Sequence, residues 1–320
     1  MTTSIRSDLE ELLWRDYVDE ASFPEKRPLL AHYTSVDVFE KIISGNELWF
    51  SNPLYMNDWE ELQFGMKSGA EAFRAHAAII EACGDVEHHA KLIELFDYYF
   101  NSFSMNHAID IYVLCFTEHE EDDNDGLLSM WRGYGAKGSG VALVFDTQNI
   151  ESVDGSPLIV DKVYYGTKQE RLDWINNKLD EIAQVLKSYP KTDQVLNDVA
   201  HTWIERLKLF SLFTKHKGFA EEKEWRVVYI RERDQNKALF SMLNYSISDR
   251  GVEPKLKLKM ETIPGVIGGP VAIEQIVDRV ILGPTISTNL ASSSIQRLLE
   301  VAGKPALVNK VVASSIPFRS

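Results

Sequence analysis

The chain has only two cysteines in 320 residues, Cys83 and Cys115. Two thiols set far apart exclude a disulfide framework, and neither belongs to a metal-type pair. This usage points to a reducing compartment, the cytoplasm. Basic residues are the minority charge: 34 Lys and Arg stand against 48 Asp and Glu, a net charge of −14. Such a balance excludes a protein that grips nucleic acid mainly through phosphates, which needs a basic face, and leaves room only for a local basic groove. No apolar run approaches a membrane span, and the opening MTTSIRSDLEELLWRDY lacks the apolar stretch of a signal peptide. There is no internal repeat and no low-complexity segment.

What is present is enough apolar residue to bury a sizeable core, arranged as alternating strand and helix patterns of a mixed, α+β chain. Residues 7–20 read as an amphipathic helix with Ser7 as its cap, so that 1–28 forms an N-terminal element ahead of one domain at 29–320. Leu29–Ala31 end a buried strand. A short helix with Val38, Phe39, Ile42 and Ile43 inward follows and stops at Gly45, and Leu48–Phe50 begin a second strand. Strands are expected again at 109–116, 141–145, 158–165, from Trp225, and at 256–260, 276–282 and 307–312, with helices at 127–134 and 288–301. Two long helical stretches, at about 57–105 and 167–216, read as insertions that cover one side of a sheet.

The chemistry-bearing residues gather at strand exits. His32-Tyr33-Thr34-Ser35 follows the first strand, Ser51-Asn52-Pro53 follows the second, and Asn57-Asp58 opens a helix. Rigid strands hold such side chains in place, as a binding cleft requires, although capping alone also explains them. Glu221-Glu222-Lys223-Glu224 leads into the strand at Trp225. A carboxylate entering a central strand is out of place unless paired or working, and Arg226, two residues on along the same face, is its expected partner. The acidic run 119–126 lacks the alternation of a calcium loop and reads as solvated. Gly133, Gly135, Gly138 and Gly140 lie between a helix and a strand, the reverse of a dinucleotide fingerprint, and read as a tight turn with close backbone approach. His76, His88, His89 and His107 show no metal-binding convergence, and no metal site is expected.

In order, His32-Tyr33-Thr34-Ser35, Leu48 to Pro53, Asn57-Asp58, Met130-Trp131, Tyr134, Phe219, Glu222, Glu224-Trp225-Arg226 and Leu282-Gly283-Pro284 resemble the bacterial family catalogued as domain of unknown function 2971. The resemblance runs from about Leu30 to the C-terminus. The opening of the chain, a strand ending in His, then a helix and a Gly before a second strand, is also similar to ADP-ribosyltransferase folds, with the DNA-targeting toxins closest. That second resemblance implies a split β-sheet core of ADP-ribosyltransferase type with long helical insertions. It implies NAD as substrate, with His32 on the adenosine ribose and Glu224 on the nicotinamide ribose as the catalytic pair. Tyr33, Trp131 and Tyr134 would then stack on nicotinamide, and Thr34, Ser51, Asn52 and Arg226 would complete the NAD site. A toxin or phage-defence effector acting on a protein or nucleic-acid acceptor, held by an antitoxin or regulatory partner, and away from membranes, is what this implies.

Two other classes compete with the NAD-dependent transferase. Asp58, Glu221 and Lys223 have the makings of a metal-dependent nuclease, in which carboxylates hold a magnesium ion and orient water. A non-catalytic binding or regulatory module would use His32 and Glu224 merely as satisfied polar residues.

Overall fold

The computed structural model describes residues 4–16, 29–56, 59–103, 108–151, 153–248, 251–269 and 271–318. These divide into two compact units, the first drawn from Met1–Val18, Pro53–Asp110 and Val163–Ala220, the second from Asp19–Asn52, Ile111–Lys162 and Glu221–Ser320.

The first unit is helical. It holds α1 (Ile5–Trp14), α3 (Trp59–Ala75), α4 (Ala77–Cys83), α5 (Val86–Ser102), α7 (Lys168–Lys187) and α8 (Asp193–Phe213), with a two-stranded parallel pair β6 (Tyr164–Gly166) and β7 (Thr214–His216). Helix α8 is the axis, packed by α1, α3 and α5. Glycine lets α3 approach it: a Cβ on Gly69 would lie 2.3 Å from Leu207 Cδ1. The cap of α1 is Ser4, whose Oγ accepts from the Ser7 N–H, and not Ser7 as the sequence suggested. Residues 17–20 of that expected helix lie outside the described residues.

The second unit is built on a mixed, open ten-stranded sheet. Its strands are β1 (Leu29–Thr34), β2 (Glu47–Ser51), β3 (Ile111–His119), β4 (Val141–Phe145), β5 (Leu158–Lys162), β8 (Glu224–Ile230), β9 (Leu243–Ser248), β10 (Gly251–Lys259), β11 (Val277–Leu282) and β12 (Val311–Ala313). Strand β3, dense in β-branched and aromatic residues, is the hub. Along one edge it pairs with β8 from Ile111↔Ile230 to Thr117↔Glu224. Its other edge is shared by two strands. β1 takes the far end, from Leu29↔His119 to Ala31↔Thr117, and β2 touches it at Ser51↔Val113. From there β1 leads to β4, β11 and β12, while β2 leads to β10 and β9, so the sheet forks at β3. Only β11 and β12 run parallel among these pairs.

Alternation along the strands sorts the two faces. Leu30, Leu114, Phe116, Leu143 and Phe145 point into the main core, with Phe39, Ile42 and Ile43 of α2 (Val36–Gly45). Ala31, Tyr33, Ala142, Val144 and Ile281 point the other way, against Met130 and Trp131 of α6 (Leu128–Gly133). Ser35 caps α2 through the Val38 N–H. Its end is made by Asn46, in the left-handed region at φ 50° and bonded back to Ile42 and Ile43, where the sequence suggested Gly45. Close approach does explain Gly140, whose Cβ would fall 2.2 Å from the Thr34 carbonyl oxygen. Two further helices, α9 (Ile273–Ile276) and α10 (Asn289–Val301), complete the unit. The strand expected at 307–312 is mostly a 3-10 turn, Pro305–Lys310, with pairing confined to Val311–Ala313; that expected at 158–165 breaks into β5 and β6.

Candidate functional site

The start of β8 places its carboxylate as the sequence suggested, buried and paired. Glu224 is 4% exposed. Arg226 Nε donates to its Oε1 at 2.8 Å and Nη2 to its Oε2 at 3.1 Å, a forked, charge-assisted pair on one face. Opposite Glu224 stands Thr117, and opposite Thr117 stands Ala31, so this is the face on which α6 lies. The Thr117 hydroxyl is buried there without a protein partner.

Just upstream, Lys223 sits at φ 41°, so the simple alternation that would put Glu222 and Glu224 on one face does not run through it. The Lys223 carbonyl accepts from the Glu118 N–H at 3.1 Å and fixes the kink. Half-buried Glu222 instead meets α6: Tyr134, the residue that ends this helix, donates its hydroxyl to Glu222 Oε1 at 3.4 Å. Two polar pairs thus stand at the start of β8, Glu224 with Arg226 across from Thr117, and Glu222 with Tyr134.

The other expected site residues go elsewhere. His32 pairs with Leu143 across β1 and β4, and its ring meets Phe116 edge-on at 5.9 Å, so it points to the main-core face, opposite to Glu224. The expected catalytic pair of His32 and Glu224 is therefore not assembled. His32 works at the fork: where β1 leaves β3, its Nδ1 lies 3.0 Å from the Cys115 carbonyl oxygen and donates to it. Burial, opposed by that bond, holds the ring's pKa below its ordinary value, and the neutral form carries its proton on Nδ1.

Tyr33 and Trp131 do meet, edge-on with centroids 4.8 Å apart, but as core residues. Trp131 is fully buried and donates through Nε1 to the Asp125 carbonyl at 2.8 Å. The Tyr33 hydroxyl oxygen accepts from the Leu127 N–H, and burial pushes its pKa up to about 12. Neither ring has a face left for nicotinamide. Thr34 is buried on the His32 side, Ser51 accepts from Lys255 Nζ at 2.8 Å, and fully buried Asn52 donates to the Ile111 carbonyl. These three are tied into strand ends and do not converge on Glu224.

The carboxylate on the His32 face is Glu118, across from Leu30. It accepts from Lys162 Nζ at 2.5 Å and Trp225 Nε1 at 3.1 Å; against the effect of burial, those donors hold its pKa below the usual range. Sequence reasoning missed it by ending the strand at Phe116. Continuing the alternation of Leu114 and Phe116 by one step reaches Glu118.

The nuclease set is not assembled among the described residues. Asp58 lies outside them, Glu221 is exposed, Lys223 pairs with Glu120, and no group of three His, Cys, Asp or Glu there could hold a metal ion. The acidic run is pinned rather than free: Arg279 donates to the Glu121 and Asp123 carbonyls and to Asn124.

The depressed pKa of His32 has a measurable consequence. Below about pH 6.5 the unfolded ring takes up a proton that the folded one resists, so the stability tied to this group is intact above that value and is lost as pH falls through it. His32→Asn keeps a donor for Cys115 and removes the titration. Urea unfolding from pH 7.5 to pH 5 should show a shallower loss of stability in the variant; parallel curves would mean that His32 titrates alike in both states.

The fork, the buried carboxylate pair and α6 together define an α+β protein with a polar site at the start of β8. Residues 130–227 match the model of a family described as a protein of unknown function (DUF2971). That segment contains Trp131, Tyr134, Glu222, Glu224 and Arg226, whereas His32, Tyr33, Thr34, Ser51 and Asn52 precede it. No curated protein and no solved structure matches the chain. None of its helices, among the described residues, is long and apolar enough to cross a membrane.

Proposed function

We propose that the protein is an NAD-dependent transferase of the ADP-ribosyl type, a toxin or defence effector, with its reacting centre at the start of β8. The observation that carries this reading is Glu224 itself: a buried carboxylate, held in one orientation by two Arg226 N–H groups, on the same face as an unpartnered buried Thr117 hydroxyl. In such a reaction the bond between ribose C1′ and the nicotinamide nitrogen breaks, nicotinamide departs with the electron pair as a neutral base, and the sugar becomes an oxocarbenium ion. A fixed carboxylate stabilises that cation without reorganising, and electrostatic stabilisation of this kind often contributes more to catalysis than any other effect. A nucleophile of the macromolecular acceptor then attacks C1′ and gives up its proton. In this scheme half-exposed Glu222, which accepts from the Tyr134 hydroxyl, is the general base that takes it. His32 has no role in this scheme beyond holding the fork.

A non-catalytic binding module is the second reading, favoured by the full engagement of Glu224 by Arg226. The two separate in one assay: NAD labelled in its nicotinamide ring is incubated with the protein and a cell lysate, and free nicotinamide is measured. The transferase reading expects release that persists with chelator and falls by about 100-fold or more in Glu224→Gln, with circular dichroism unchanged. Absence of release, or release unaltered in the variant, rejects it.

A further inference from the structure

A cavity of about 140 Å³ lies in the second unit, on the sheet face opposite to Glu224. Its position follows from the fork. Inward side chains of both arms line it, Leu30 and Phe145 from the β1 arm and Phe50 and Leu258 from the β2 arm. Phe116 and Val227 form the floor between them. The lining is mostly apolar, its polar members being buried Thr147, exposed Glu151 and Ser156, whose Oγ donates to the Val266 carbonyl and accepts from the Leu158 N–H. Phe116 and Phe145 already stand edge-on to each other, with centroids 5.6 Å apart, an arrangement that a third ring extends. An apolar cavity of about 150 Å³ accepts benzene in a protein core.

We infer that this cavity is a binding site for a single uncharged aromatic ring, free or at the end of a larger molecule. The inference does not depend on the transferase reading, since no residue at the start of β8 lines the cavity.

The test uses the full chain and fluorobenzene. Fluorine NMR should show saturable line broadening, reversed by benzene, with Kd on the order of 1 mM or tighter. Benzene should shift the methyl signals of Leu30, Val227 and Leu258 and leave Leu207, in the helical unit, unmoved. Val227→Phe, which fills the floor, should weaken binding by about tenfold or more while the melting curve stays cooperative. If that variant does not fold, the methyl shifts in the unaltered protein decide the matter. Non-saturable broadening, shifts spread over both units, or undiminished binding in a folded Val227→Phe would overturn the site.

Discussion

Trp131→Ala is expected to destabilise the sheet unit by about 3–5 kcal/mol, the range for truncating a fully buried large aromatic. Three losses combine: the indole volume, the edge-on contact with Tyr33, and the Nε1 bond that ties Asp125 to α6. Trp131→Phe retains much of the volume and forfeits the bond, so it should cost only about 1 kcal/mol from that source. Urea unfolding followed by tyrosine fluorescence and circular dichroism measures both. A Trp131→Ala protein as stable as the parent, with altered NAD binding, would return this residue to the ligand site that the sequence suggested.

Arg226→Met should be comparably severe, about 3–5 kcal/mol, because it strands the Glu224 carboxylate in a place nearly closed to water. The side chains are 6% and 5% exposed, so solvent cannot replace the lost partner. The double variant Arg226→Met/Glu224→Gln removes the stranded charge and should recover a substantial part of the loss. A double-mutant cycle on unfolding free energies reads the coupling directly. Additive effects would mean that the two groups do not depend on each other, and the oriented carboxylate of the proposed mechanism would go with them.

Local chemistry was legible in the sequence where one face or one pair decides the outcome. The period of Val38, Phe39, Ile42 and Ile43 gave α2, the density of Ile111 to Phe116 gave most of β3, and a Glu directly ahead of Trp225 with Arg two residues on gave the buried pair. What was not legible depends on register between strands far apart in the chain. His32 and Glu224 were matched by motif, but a one-residue difference in alternation sends them to opposite faces, and only the Ala31–Thr117–Glu224 pairing reveals it. Trp131 and Tyr33 misled for a related reason. An aromatic near a strand exit looks the same in sequence whether it lies over a ligand or under a helix.

The hub position of β3 also bears on how the chain is made. During synthesis its first edge can be occupied early by β1 and β2, which have already been made, but the partner for its second edge is encoded roughly a hundred residues later, beyond His119. At ribosomal rates that delay is roughly 5–20 s. For that interval Ile111 to Phe116, a proline-free run of strongly strand-forming residues, presents an open row of hydrogen-bonding groups, so nascent chains that stall before Glu224 are those most exposed to clumping with one another.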